Sequence, residues 1–277
     1  MLGENPERIG RKSGARDGRL DHVARRVFPY YFAPGKKLFQ IVVKMSDEPG
    51  SLGLILSLLG SRVNLIGTDT YTMRDGTAIF SAFSEALSTE ETPEKLQGLV
   101  MSSKAALACE VIEGRDGMLV DAFHTGLEAN GEGTMLFRRM ALARMLDRTH
   151  NLLGSGGDFL LYEEGFAIGK ANGEDFVKML GREKVNEIIG YLRNDISAQG
   201  WGRVAVGEAP QADSSTIIIY DCFECSEKSS SRTGCHFFRG YIVGSRLATT
   251  GQELSAEEVR CTLKGDKVCE FLLTPKK

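Results

Sequence analysis

The sequence is poor in several things whose absence narrows its function. It has one tryptophan, four histidines and seven prolines in 277 residues, and no uninterrupted apolar run approaches the roughly 20 residues that span a bilayer. A soluble chain with no membrane partner is expected. The formal charge is only −3, so no global field exists to grip nucleic acid, and a nucleic-acid partner is not expected. No Gly-rich dinucleotide fingerprint and no nucleophile–histidine–acid pattern is found, so no catalytic residue is assigned and an enzyme is disfavoured. His22, His124, His150 and His236 are scattered. The first thirty-odd residues lack the apolar segment and cleavage site of a secretory signal, which places the chain in the cytoplasm. In that reducing compartment six cysteines read as core residues, metal ligands or redox thiols, not as a disulfide framework.

With 42% hydrophobic and 26% charged residues, the chain has the make-up of a globular protein, and its length favours two domains. Residues 1–36 form a basic arm carrying Arg8, Arg11, Lys12, Arg16, Arg19, Arg25 and Arg26. It is either a solvated face or a phosphate contact, mobile or packed as a short helix on a neighbour. From Leu38 a largely buried strand begins, with Phe39, Ile41, Val43 and Met45 on one face. The turn Ser46-Asp47-Glu48-Pro49-Gly50-Ser51 opens a helix with Leu52, Ile55, Leu56 and Leu59 on one side. Asn64-Leu65-Ile66 leads into a second strand, Asp75-Gly76 reads as a hairpin turn, and Thr92-Pro93-Glu94 starts a second helix before a closing strand at Ala108–Ile112. The order is βαββαβ, a ferredoxin-like arrangement.

The motif Asp47-x-Pro49-Gly50-x-Leu52 after a strand, followed by Asn64-Leu65-Ile66, resembles the ACT domain over residues 37–114. That resemblance implies a regulatory module that pairs side by side and binds an amino-acid-like ligand at the pairing interface, through Asp47, Gly50, Ser51, Leu52, Asn64 and Ile66. A homodimer is expected on the same ground. Gly50 and Asn64 also suit the turn and helix stop without any ligand, which leaves a module that only dimerises as the alternative.

Gly114-Arg115-Asp116-Gly117 marks the boundary. Beyond it, helices are expected over Met135–Leu153, Gly173–Gly181 and Glu183–Gln199, and strands at Val204–Val206, Thr216–Tyr220 and Val268–Leu273. Five cysteines lie here: Cys222, Cys225, Cys235, Cys261 and Cys269. A hairpin turning at Gly265-Asp266 brings Cys261 and Cys269 face to face, and Glu258, three residues before Cys261, reaches the same point. With Cys235 they make three thiolates and one carboxylate, a closed shell of the structural zinc kind. Cys222 and Cys225 form a Cys-x-x-Cys that raises metal or redox chemistry. Read as lying in a strand, His236 points away from its neighbour Cys235 and ranks below Glu258 as a ligand. Cys109 reads as a small hydrophobe.

Leu161-Tyr162-Glu163-Glu164-Gly165, Phe166-Ala167-Ile168-Gly169, and then Cys235, Gly240-Tyr241, Gly251, Glu258, Cys261 and Cys269 resemble the 4-vinyl reductase domain over residues 118–275. Its relatives include the sensory domains of phenol-responsive transcription activators and trafficking-complex subunits. The resemblance implies an α/β (α+β) fold with helices packed on an antiparallel sheet, a small-molecule cavity, and zinc on Cys235, Glu258, Cys261 and Cys269. The phenol sensors use a pocket histidine where this chain has Ser197, Ala198 and Gln199, so phenol is a poor ligand guess. The aromatics Tyr162, Phe166, Trp201, Tyr220, Phe237 and Tyr241 either line that pocket for a small hydrophobic ligand or belong to the core. The expected function is a two-module regulatory sensor. The alternatives are an enzyme or accessory subunit of vinyl-group reduction, or a cysteine-based redox switch.

Overall fold

The computed structural model describes residues 24–129, 131–207, 214–227, 230–232 and 234–276. Most of the basic arm therefore lies outside the described residues. The chain divides into two compact units, one ending at Phe123 and the other starting at His124.

In the first unit the strands and helices are β1 (Tyr30–Phe32), β2 (Leu38–Ser46), α1 (Ser51–Leu59), β3 (Val63–Thr72), β4 (Thr77–Ala86), α2 (Pro93–Met101), β5 (Ala106–Glu113) and β6 (Met118–Val120). An antiparallel sheet of order β3-β4-β2-β5 carries both helices between its strands in βαββαβ succession. Local chemistry sets the helix starts. Gly50 takes φ +94 before α1, a conformation L side chains resist, and the Thr92 hydroxyl accepts from Lys95 N at 3.3 Å with Pro93 opening α2. Phe39, Ile41, Val43 and Met45 pack with Ile55 and Leu59 of α1 and Leu96 and Val100 of α2. Each such buried side chain contributes roughly 1.5–3 kcal/mol relative to exposure.

The opposite face of β2 is covered as well. Tyr30–Phe32, within the basic arm, is a strand where a helix was one expectation, and it pairs antiparallel with Met118–Val120. Leu38, Phe83 and Leu119 form a second apolar cluster with Phe28, Tyr31 and Ala33 around them. Gln40, fully buried, donates to Asp121 Oδ1 at 2.6 Å and accepts from Ala122 N at 3.1 Å. Met118–Val120 thus packs in the first unit.

The second unit contains β7 (Leu127–Ala129), β8 (Glu132–Thr134), α3 (Arg139–Leu153), α4 (Ser155–Leu180), α5 (Val185–Ala198), β9 (Arg203–Gly207), β10 (Ser215–Tyr220), α6 (His236–Thr250), β11 (Leu254–Arg260) and β12 (Cys269–Pro275). Its antiparallel sheet has the order β11-β12-β10-β9. α4 runs unbroken for 26 residues through Gly156, Gly157, Gly165, Gly169 and Gly173, where the sequence predicted only a short helix from Gly173. Those glycines weaken an isolated helix by about 1 kcal/mol each relative to alanine. Packing overrides the propensity: a Cβ at Gly165 or Gly169 would overlap the carbonyls of Phe237 or Tyr241 on α6. One at Gly240 or Gly244 would overlap those of Tyr162 or Phe166 on α4. The two helices meet backbone to backbone along a stripe of small residues, and this fixes where α6 begins. Among the described residues no helix is long and apolar enough to cross a membrane.

Candidate metal centre

Three elements deliver five sulfurs to one place. β10 ends at Tyr220, and Cys222 and Cys225 flank the short 3-10 turn that follows, closed by Cys225 N donating to Cys222 O at 3.2 Å. Cys235 caps α6. Cys261 and Cys269 face each other across the β11–β12 connection, where Cys261 N donates to Asp266 Oδ2 at 2.8 Å. All six cysteines of the chain are free thiols. Cys109 stands in β5 of the first unit, and burial pushes its thiol up to about 11.

Cys235 Sγ lies 3.8 Å from Cys261 Sγ and 3.6 Å from Cys269 Sγ. Cys225 Sγ lies 3.0, 3.8 and 3.5 Å from those of Cys235, Cys261 and Cys269, and Cys222 Sγ lies 3.9 Å from Cys235 Sγ. A tetrahedral ion with sulfur at about 2.3 Å needs sulfurs roughly 3.8 Å apart, so the cluster has the dimensions of a single-ion shell. Two four-residue sets keep their ligand atoms within 4.8 Å of one another: Cys222, Cys225, Cys235, Cys269, and Cys235, Glu258, Cys261, Cys269. The sequence analysis kept the Cys-x-x-Cys apart from the other three thiols. The β10–β12 pairing, Ile219 opposite Cys269, carries the segment after β10 to the same end of the sheet.

Glu258 is held beside the sulfurs. Its Oε2 accepts from Cys235 N at 3.0 Å, while Oε1 is buried without a hydrogen-bond partner. Gly234 leaves room for that carboxylate, because an added Cβ there would stand 2.5 Å from Oε2. Burial pushes the Glu258 carboxyl up. Burial likewise raises the Cys222 thiol, and hydrogen bonding with neighbouring thiols, Cys222 first, raises Cys235. Cys269, receiving hydrogen bonds from the four others, is drawn down. Without a cation the cluster favours few thiolates; a soft divalent ion would stabilise more of them. Zinc fits this donor set: sulfurs at the right spacing, and an orphaned carboxylate oxygen within reach.

A buried ionic network backs the site. Glu224 accepts from Phe237 N at 3.1 Å and Phe238 N at 2.9 Å, satisfying two orphan donors at the start of α6. Burial pushes its carboxyl up to about 7 against the opposing pull of Arg232. Arg232 also reaches Asp147 on α3. His236 is the first residue of α6, not part of a strand. Its Nε2 lies 3.5 Å from Asp158 Oδ1, which His150 Nδ1 meets at 2.7 Å, and burial lowers its pKa.

Of the six aromatics singled out in the sequence, Trp201 sits 5.9 Å from Phe237 and 5.2 Å from Tyr241, ring centre to ring centre. The Tyr241 hydroxyl accepts from Asn172 Nδ2 at 3.2 Å. Tyr162 and Phe166 stack on each other along α4, and Arg239 lies over Tyr162. Tyr220 is exposed under Arg203. Phe223 and Phe238, not singled out, complete the Trp201 cluster. In the first unit Asp47, Gly50, Ser51 and Leu52 share the β2–α1 turn, where the hydroxyls of Ser51 and Ser46 meet at 2.9 Å. Asn64 is exposed on β3 opposite Glu85, and Ile66 sits in a register shift between Leu65 and Gly67.

The uncharacterized protein MJ0150 of Methanocaldococcus jannaschii is 25% identical over 123 residues, 43% of this chain and 66% of that protein, just under two thirds of its length. Among solved structures, the chain is similar to the phenol-responsive sensory domain of the transcription activator PoxR with phenol. There the identity is 18%, the coverage 54% of this chain and 80% of that one, and the TM-score 0.47. It is also similar to a trafficking protein particle complex subunit 3 from Naegleria fowleri covalently bound to palmitic acid (13% identity, 50% and 98% coverage, TM-score 0.37). A vinyl-4-reductase family protein from Methanocaldococcus jannaschii is a third similar structure (15%, 52% and 85%, TM-score 0.36). Residues 216–275, which hold α6, the β11–β12 hairpin and all five clustered cysteines, match the 4-vinyl reductase domain.

Proposed function

We propose that the chain is a regulatory sensor whose second unit binds a small hydrophobic molecule and is clipped together by zinc on Cys235, Glu258, Cys261 and Cys269. The observation that carries the metal assignment is Glu258: a buried carboxylate with one unpartnered oxygen beside three sulfurs at tetrahedral spacing. The 4-vinyl reductase domain match over residues 216–275 supports the small-molecule reading. Zinc bound here supplies electrostatic and covalent cross-linking, not redox chemistry. Cys235 ties the start of α6 to the β11–β12 hairpin, so metal binding energy is folding energy for the unit. The Trp201, Phe237 and Tyr241 cluster supplies an apolar body at the same end of α6.

The first unit is proposed as an ACT-like regulatory domain that pairs with a second copy, using Asp47, Gly50, Ser51, Leu52, Asn64 and Ile66 around an amino-acid-like ligand. Its βαββαβ order supports this. No catalytic residue is proposed. A cysteine-based redox switch is a second reading, favoured by Cys225 Sγ lying 3.0 Å from Cys235 Sγ.

Native mass spectrometry of protein taken directly from cells tests these readings together. One zinc per chain, a retained small molecule and a dimer are expected. A metal-free monomer from a chelator-free preparation overturns the zinc and pairing assignments. A reversible loss of two hydrogens from the clustered thiols on peroxide treatment of otherwise metal-free protein favours the switch.

A further inference from the structure

Between α5, β9, β10 and α6 lies an open groove of about 50 Å³, walled by Leu192, Ile196, Val204, Ile217 and Ile242. Its remaining lining includes two arginines, Arg193 and Arg246, and no carboxylate among the described residues. Arg193 is exposed at the rim. Arg246 is half-buried on α6, and its Nε is fully withdrawn from solvent without a hydrogen-bond partner. Burial lowers its pKa with no acidic group pulling the other way. A guanidinium placed in an apolar wall without a counter-charge is unfavourable by itself. A ligand carrying the opposite charge completes it.

We propose that this groove binds a short hydrophobic carboxylate, its first few carbons lying on the aliphatic wall and its carboxylate on the Arg246 guanidinium. The planar fork of arginine matches a carboxylate better than a hydroxyl or an amine. Arg193 adds long-range attraction at the exposed rim. The groove is too small for a long acyl chain to enter whole, so the ligand is compact. This assignment names the ligand class of the second unit's small-molecule reading and rests on it. The site is separate from the aromatic side chains singled out in the sequence, none of which lines the groove.

Hexanoate and hexanol, added to the full chain, separate charge from apolar contact. Trp201 is the chain's single tryptophan, and its ring lies 6.4 Å from that of Phe238, which lines the groove. Tryptophan fluorescence and saturation-transfer NMR therefore read binding. Hexanoate is expected to bind at least tenfold tighter than hexanol. Arg246→Ala should erase that advantage and Arg246→Lys keep part of it. Should Arg246→Ala fail to fold, Val206→Glu serves instead: Val206 is 57% exposed and lines the groove, so a carboxylate there weakens hexanoate alone by several-fold. Equal affinity for both probes overturns the carboxylate assignment and leaves the small-molecule reading standing. Unchanged hexanoate affinity in folded Arg246→Ala overturns the role of Arg246. Binding of neither probe by folded protein overturns the proposal and counts against the small-molecule reading as well.

Discussion

Arg232 donates through Nη1 to Glu224 Oε1 at 2.9 Å, with both side chains fully withdrawn from solvent. The carboxylate that receives it also takes two backbone N–H groups from the first turn of α6. One acid thus joins the segment after β10 to the helix that presents Cys235. Arg232→Met leaves Glu224 buried without its counter-charge, which costs about 3–5 kcal/mol. Urea denaturation followed by fluorescence of Trp201 measures it. An unchanged midpoint would show that the pair has no structural weight.

The crowding of donors at the metal centre leads to an asymmetric expectation. Cys261→Ser removes a central sulfur and should lower the melting temperature of the second unit, as chelation does in the parent protein, while the first unit stays folded. Glu258→Gln should still retain the ion, because Cys225 stands within 3.8 Å of Cys235, Cys261 and Cys269 and can take the vacated position. Cobalt-substituted protein reports the ligand set by its absorption spectrum. Loss of bound metal in Glu258→Gln, with the fold intact, would make the carboxylate indispensable and Cys225 a bystander.

Helix contact at the glycine stripe is equally open to test. Gly240→Ala places a methyl group against the Tyr162 carbonyl, a backbone atom that cannot rotate away. We expect a loss of roughly 3 kcal/mol or more, at the upper end for overpacking. Exposed Gly98, with open space around it, is the control: Gly98→Ala on α2 should be neutral or stabilising by up to about 1 kcal/mol.

Acid titration separates a local effect in the first unit. Asp75 accepts from the Thr77 hydroxyl and backbone N–H and pairs with Lys44 at 2.9 Å. These hold its carboxyl at about 2, below the ordinary 3.8. The unfolded chain then binds the proton more readily. The stabilisation is complete above about pH 4 and disappears as pH falls through about 2. Carboxyl NMR should give the low value, and Thr77→Val should move it upward. An ordinary titration in the parent protein would refute the hydrogen-bond assignment.

The parts most legible in the sequence were those encoded by local chemistry. Alternation at Phe39, Ile41, Val43 and Met45, the Pro49-Gly50 turn and Thr92-Pro93 marked β2, α1 and α2 because period and capping are nearest-neighbour properties. The convergence of Cys261 and Cys269 followed from a hairpin spacing. Two things were not legible. Gly156 and Gly157 read as part of a helix stop, yet both lie inside α4. Gly157 packs on the Thr149 carbonyl of α3, and Gly165 and Gly169 pack on α6, information that resides in partner helices and not in the segment itself. Cys225 could not be assigned to the cluster, since its arrival depends on β10 pairing with β12, a long-range register. Arg246 offered no sequence signal at all; only its burial makes it notable.

Tyr30 sits directly opposite Val120 in the β1–β6 ribbon, so the first unit's chain enters and leaves side by side. Such an arrangement makes the unit a cassette. A short linker between those two ends, with new termini opened at the exposed Asp75-Gly76 tip, would give a circular permutant that keeps every strand pairing of the sheet.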